Sequence, residues 1–162
     1  MSDEKIIKKR EVSAGGIVYK FGDNSASGKP SADRLLFVLL IMPSGKTMNK
    51  DFKWTFPKGH IGDNKMESVK EAALREVKEE TGVEAQIKAD LGEVEFYFMW
   101  EGQKITKSVN WFLMEYVSGD TEEHDFEIKE ARWFTVADAD AKLTYKTDKE
   151  IFERAKQILL HE

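Results

Sequence analysis

Eight consecutive apolar residues, Leu35-Leu36-Phe37-Val38-Leu39-Leu40-Ile41-Met42, narrow the folds open to this chain more than any other feature. Successive side chains of a strand point to opposite faces. A run without a polar residue therefore needs apolar cover on both faces, as a strand inside a layered structure has. The segments around it supply strands and two helical covers. Glu11 to Tyr19 reads as a first strand, and residues 21–33, rich in Gly, Ser and Asp, as a flexible insertion. Phe52 to Phe56 alternates with the period of a half-buried strand, and Pro57-Lys58-Gly59-His60 breaks that pattern. Asn64 to Thr81 reads as one helix, with Asn64 as cap, Glu67 three residues on, and Gly82 as its left-handed end. Val83 to Ala89, Leu91 to Trp100, Ile105 to Val117 and Ala131 to Phe134 read as strands. Glu101-Gly102-Gln103 is a turn, and residues 118–126 are an acidic loop. Asp148 to Leu160 is a final amphipathic helix, with Thr147 as cap and Glu150 completing a capping box. No repeat or boundary divides the chain. The expectation is one domain over residues 1–162, with a core from about 10 to 160, in the α+β class: a mixed sheet with helices on its outside.

Charge and composition exclude several functions. The net charge is -5, whereas a partner made of extended nucleic acid calls for a basic patch. A nucleotide substrate stays open, because a bound divalent cation reverses the local charge. The absence of cysteine removes disulfides, zinc–thiolate sites and a cysteine nucleophile. No signal peptide or membrane span is read from the sequence, so the expectation is a cytoplasmic protein without a membrane partner, as a monomer or weak dimer.

The helix from Asn64 to Thr81 carries the chemistry. On a wheel turning about 100° per residue, Met66, Val69, Ala73 and Val77 form an apolar stripe, with Ala72 and Leu74 at its edges. Glu80 falls between Val69 and Ala73, Glu76 between Val69 and Ala72, and Glu79 beside Ala72. Like charges three and four residues apart repel, and burial beside alanine and valine adds to the cost. Two explanations fit. The acids are one face of a solvated, salt-bridged helix, or a cation fills the space among them. Hard oxygen ligands at this spacing suit Mg²⁺, with Mn²⁺ as the alternative. Arg75 can hold one carboxylate through a bidentate pair.

Gly59, Glu67 and then Arg75-Glu76-Val77-x-Glu79-Glu80-x-Gly82-Val83 resemble the signature box of the Nudix hydrolase family, which matches at every fixed position from Glu67 to Val83. The family has five residues between its first glycine and first glutamate. This chain has seven, His60 to Met66, so the loop entering the helix is enlarged. The resemblance implies the α/β/α sandwich of that family. It also implies metal ligation by Glu76, Glu79 and Glu80, assisted by Glu67 and by a backbone carbonyl at Lys58 or Gly59. Glu76 is then a candidate general base oriented by Arg75. Glu67 has an equally good role in capping the helix. The implied reaction is hydrolysis of a diphosphate linkage in a nucleotide by a metal-activated water.

Further segments resemble the branch that hydrolyses diadenosine polyphosphates: Ala14 to Val18, Trp54 to His60, Lys107 to Met114, and Glu127 followed by Ala131-Arg132-Trp133-Phe134. The implied reaction is diadenosine tetraphosphate to ATP and AMP. In that branch a glutamate at the place of Glu127 approaches the metals and is a second candidate base; otherwise it is one more acid in an acidic loop. Lys58, His60, Lys104 and Lys107 are candidate phosphate contacts, with Lys58 and His60 favoured because they adjoin the box. Tyr97, Phe98 and Tyr145 are candidate stacking faces for a base, with core packing the better role for Phe98. Relatives that cleave ADP-ribose carry a proline after the box, and here the three prolines are Pro30, Pro43 and Pro57. A hydrolase of oxidised or ordinary nucleoside triphosphates remains the alternative. A catalytically inert nucleotide-binding module is disfavoured by the intact Arg75, Glu76, Glu79 and Glu80.

Overall fold

The computed structural model describes residues 8–22, 35–44, 53–61 and 66–161. The strands are β1 (Lys8–Gly22), β2 (Leu35–Pro43), β3 (Lys58–His60), β4 (Val83–Trp100), β5 (Gln103–Gly119) and β6 (Ile128–Thr135). The helices are α1 (Val69–Thr81), α2 (Val136–Lys142) and α3 (Lys146–Leu159). The sheet runs β4-β5-β1-β2-β6, and β3 pairs with β1 beside that path. Strands β1 and β5 are parallel and the other pairings antiparallel, so the sheet is mixed.

The apolar run of β2 does what its composition requires. Val38, Leu39, Leu40 and Ile41 are all buried. Val38 and Leu40 join one core with Ile17, Trp111 and Leu113, covered by Ala139 of α2 and by Ile151, Phe152 and Ala155 of α3. Leu39 joins the opposite core with Val18, Phe112 and Met114, covered by Ala72, Ala73 and Val77 of α1. The period of two thus sorts neighbouring residues of β1, β2 and β5 into two cores, and the α/β/α layering follows. Among the described residues no helix is long and apolar enough to cross a membrane.

Several boundaries differ from the sequence expectation. Helix α1 starts at Val69, with Ser68 as N-cap accepting from the Glu71 N–H at 3.1 Å. Ser68 and Glu71 supply the local capping chemistry that was expected of Asn64 and Glu67. Asn64 itself lies outside the described residues, as does most of the 21–33 insertion. Because the helix begins later, Met66 is 88% exposed and Val69 is on the surface, outside the stripe assigned to them. Gly82 ends α1 as expected, at φ 78° and with its N–H bonded to Lys78 O.

The Trp54 and Thr55 segment makes only isolated bridges, to Leu143 and Ile41, and the strand is Lys58–His60, where a break was expected. Val83 to Trp100 is one strand with irregularities near Ile87 and Asp90, rather than two. Glu101 and Gly102, at φ 49° and 73°, turn it back into β5. Helix α2 was not anticipated. Helix α3 begins after Tyr145 with no side-chain cap, so Thr147 does not cap it. Asp148 instead turns inward and accepts from Thr55 Oγ1 at 2.6 Å, tying α3 to the Trp54–Phe56 segment.

The two-faced burial of β2 predicts that Leu39→Ala and Leu40→Ala each cost about 2–5 kcal/mol in chemical denaturation. A loss at only one of these adjacent positions would mean that one face of β2 lacks a packed core.

Candidate active site

Helix α1 lies across β1 and β3, and its wheel explains the acids. Fully buried Ala72 and Ala73 flank the arc that holds Glu76 and Glu80. Both carboxylates therefore leave the helix on the side facing the sheet. Space for them comes from β3. Ala14 of β1 stands opposite Gly59 of β3, and a Cβ on Gly59 would land on the Glu76 carboxyl group. Glycine is needed here for close approach rather than for an unusual φ.

Arg75 ties the acids together. Its Nε donates to Glu67 Oε2 at 2.7 Å and its Nη2 to Glu67 Oε1 at 2.9 Å. Its Nη1 donates to Glu76 Oε1 at 2.7 Å and reaches both oxygens of Glu79 at 3.2 and 3.3 Å. Nη2 also meets His60 O at 3.3 Å, which fixes β3 to the helix. Glu67 thus stands before the helix and anchors Arg75, and its suggested capping role is not the one it plays. This pairing holds the Glu67 carboxyl below the usual carboxylate range.

Burial acts in the opposite direction on the inner acids. It raises Glu76, and the Arg75 pairing offsets only part of that rise. Glu80 is pushed up to about 8, first by burial and then by the Glu76 charge; the Lys58 backbone N–H and ammonium pull it down less. Among the described residues, no three acidic or histidine side chains stand ready in metal-ligating geometry. Arg75 claims oxygens of Glu76 and Glu79 that such a set would use.

Two clefts meet at these acids. The larger, about 430 Å³, is walled by Ile41, Pro43, Phe56, Phe126 and Ile128, with Ser44 and Thr55 as polar members. The smaller, about 380 Å³, is lined by Lys58, His60, Lys107 and Phe96. Lys58, Glu76, Glu79, Glu80 and Glu127 belong to both. The fold therefore gathers Lys58, His60, Lys107 and Glu127 around the helix acids. It does not bring Tyr97 or Tyr145 there. Phe96 and Tyr97 alternate along β4, so the cleft receives Phe96 and Tyr97 is 66% exposed. Tyr145 sits exposed ahead of α3, beside Lys53. Lys104 lies over the Tyr97 ring, away from both clefts.

Sequence reasoning missed Phe126. A single large aromatic inside the run Glu122-Glu123-His124-Asp125-Phe126-Glu127 was the available signal. It also missed Thr55 and Asp148. Burial raises the Asp148 carboxyl, and the Thr55 hydroxyl bond partly counters that.

A carboxyl whose folded pKa lies above its unfolded value loses its contribution to stability as pH rises. The Glu80 group is held protonated up to about pH 8, so the metal-free protein should lose stability from about pH 5 to 8. Glu80→Gln should therefore raise Tm at pH 8 in EDTA, and the gain should vanish near pH 4.5. An unchanged or lower Tm at pH 8 would show that Glu80 is not held in this environment.

Comparison with known proteins gives the same family. The NUDIX domain model matches residues 26–155. A Mycobacterium tuberculosis chain that carries the name mutator protein MutT4 is 28% identical over 149 residues. That match covers 92% of this chain but only 56% of the longer relative. The fold is similar to that of the NUDIX domain of Shewanella oneidensis NrtR complexed with ADP ribose, with TM-score 0.69 at 20% identity, covering 98% of this chain and 94% of that one. It is likewise similar to a C. elegans Ap4A hydrolase binary complex, with TM-score 0.65 at 19% identity, covering 94% and 99%. With its signature helix, glycine and arginine in the places the fold requires and most of its length matched by the NUDIX model, the chain belongs to the Nudix family.

Proposed function

We propose that this protein hydrolyses a diphosphate linkage in a nucleotide with the help of a divalent cation, and that its preferred substrate is diadenosine tetraphosphate, cleaved to ATP and AMP. The observation that carries the reaction is the placement of Glu76, Glu79, Glu80 and Glu127 at the junction of two clefts, one with apolar outer walls and one that adds His60 and Lys107. Burial raises the half-buried Glu76 and Glu80, and Arg75 and Lys58 offset only part of that rise. A cation among them would remove that cost, and their hard oxygens suit Mg²⁺ or Mn²⁺. Glu76, Glu79 and Glu80 would hold it, with the Lys58–Gly59 backbone and Glu67 in support. When bound, the cation neutralises phosphate charge and acidifies a water molecule.

The protein's own groups do the rest. Arg75 fixes one oxygen of Glu76 and leaves the other free toward Gly59. The free oxygen takes the proton as water oxygen bonds to phosphorus and the bridging P–O bond breaks. Glu127, which fronts both clefts, is the second candidate for that proton. The Lys58 ammonium meets the charge growing on the departing phosphate, and His60 and Lys107 extend that wall.

The substrate choice rests on the outer motifs and on Glu127 at the acids. It is also supported by the likeness to an Ap4A hydrolase structure. The likeness to MutT4 favours a second substrate class, nucleoside triphosphates including oxidised ones.

Glu79→Gln and Glu80→Gln should each lower turnover by orders of magnitude in saturating Mg²⁺ while circular dichroism stays unchanged. Near-normal rates would remove these residues from the site. A Mg²⁺ assay across dinucleoside polyphosphates, nucleoside triphosphates and ADP-ribose decides the substrate. Cleavage of triphosphates alone, with diphosphate released, would favour the second class.

A further inference from the structure

The acidic loop after β5 is fixed rather than loosely draped. Asp125 N donates to Glu79 O of α1 at 2.9 Å. Glu127 O accepts from both Ser44 N, at 2.9 Å, and Ser44 Oγ, at 2.8 Å. Ile128 N closes the turn onto Asp125 O at 3.0 Å. Phe126 lies between these anchors, 84% exposed, yet its side of the loop faces the larger cleft. A lone exposed aromatic is ordinary on a protein surface. The surroundings of this one are not ordinary: Ile41, Phe56 and Ile128 form apolar walls, and the acids adjoin them. On the far side of the same acids the wall changes to Lys58, His60 and Lys107.

We propose that the Phe126 cleft is the nucleobase subsite, with the ring stacked on the base, and that the phosphate chain runs past the acids toward Lys58, His60 and Lys107. This deepens the proposed function and rests on it. An aromatic face stacks on any base without needing a particular hydrogen-bond pattern, and a cleft of about 430 Å³ has the size of a small-ligand site. Lys58 borders both clefts, but His60 and Lys107 line only the second, so the phosphate chain finds further polar and cationic partners in that direction alone. The bond cut is then near the base-bearing end: a nucleoside monophosphate stays beside Phe126, and the remaining phosphates leave past Lys58, His60 and Lys107. The loop anchors keep the base platform and Glu127 in fixed register with α1.

The test is equilibrium calorimetry on the full chain with two probes, ADP and inorganic diphosphate, which differ by the nucleoside. Neither measurement needs turnover, so it is independent of the hydrolysis panel: failure of that panel leaves this result standing, and the reverse. The wild type should bind ADP more tightly than diphosphate. Phe126→Ala should weaken ADP about tenfold, within the range of base–aromatic stacking, and change diphosphate less than about twofold. Phe126→Tyr, which keeps the ring, should restore ADP binding. The proposal is overturned if the wild type binds both probes equally. It is also overturned if Phe126→Ala leaves ADP binding intact, or weakens both probes alike.

Discussion

Placing two carboxylates on the sheet-facing side of α1 is the constraint to which the rest of the structure answers. Glu76 and Glu80 lie between fully buried alanines, where a charged group loses water and gains little in return. Each neighbouring element relieves part of that cost. Arg75 pairs with Glu76, and Glu67 in turn holds Arg75 from outside the helix. Gly59 leaves out the side chain that would occupy the Glu76 position. The Lys58 N–H and ammonium face Glu80. Together they offset only part of the burial cost, so both carboxyls stay above the usual carboxylate range.

The same constraint organises the clefts. Because the acids project from one helix toward β3, whatever surrounds that point must come from different parts of the chain. The β2 end, Phe126 and Ile128 build apolar walls on one side, while β3 and β5 bring Lys58, His60 and Lys107 to the other. Hydrogen bonds from Asp125 and Ser44 make the acidic loop a fixed wall attached to α1 and β2. Asp148 does the equivalent from the other face of the sheet, since its bond to Thr55 lets α3 steady the segment that leads into Lys58. A helix with no atom in either cleft thus helps to position the residues that line them.

Sequence alone determined the layered α+β class, because an unbroken apolar strand has to be covered twice and the helical periodicities supply the covers. It also determined the acids of α1, because charge placed among alanine and valine contradicts the hydrophobic pattern and so advertises itself, and because the spacing from Glu67 to Val83 is long enough to be specific. Local competition among caps was not legible: Ser68 with Glu71 makes as good a box as Asn64 with Glu67, and only the bond that Arg75 donates to Glu67 shows which acid is occupied elsewhere. Tertiary structure alone decided which distant groups meet the acids. Phe96 rather than Tyr97 faces the cleft because strand register fixes which parity points inward. Thr55 and Asp148 meet across 93 residues of sequence, and Phe126 shares its cleft with the distant Ile41 and Phe56, and no local periodicity encodes contacts of that range.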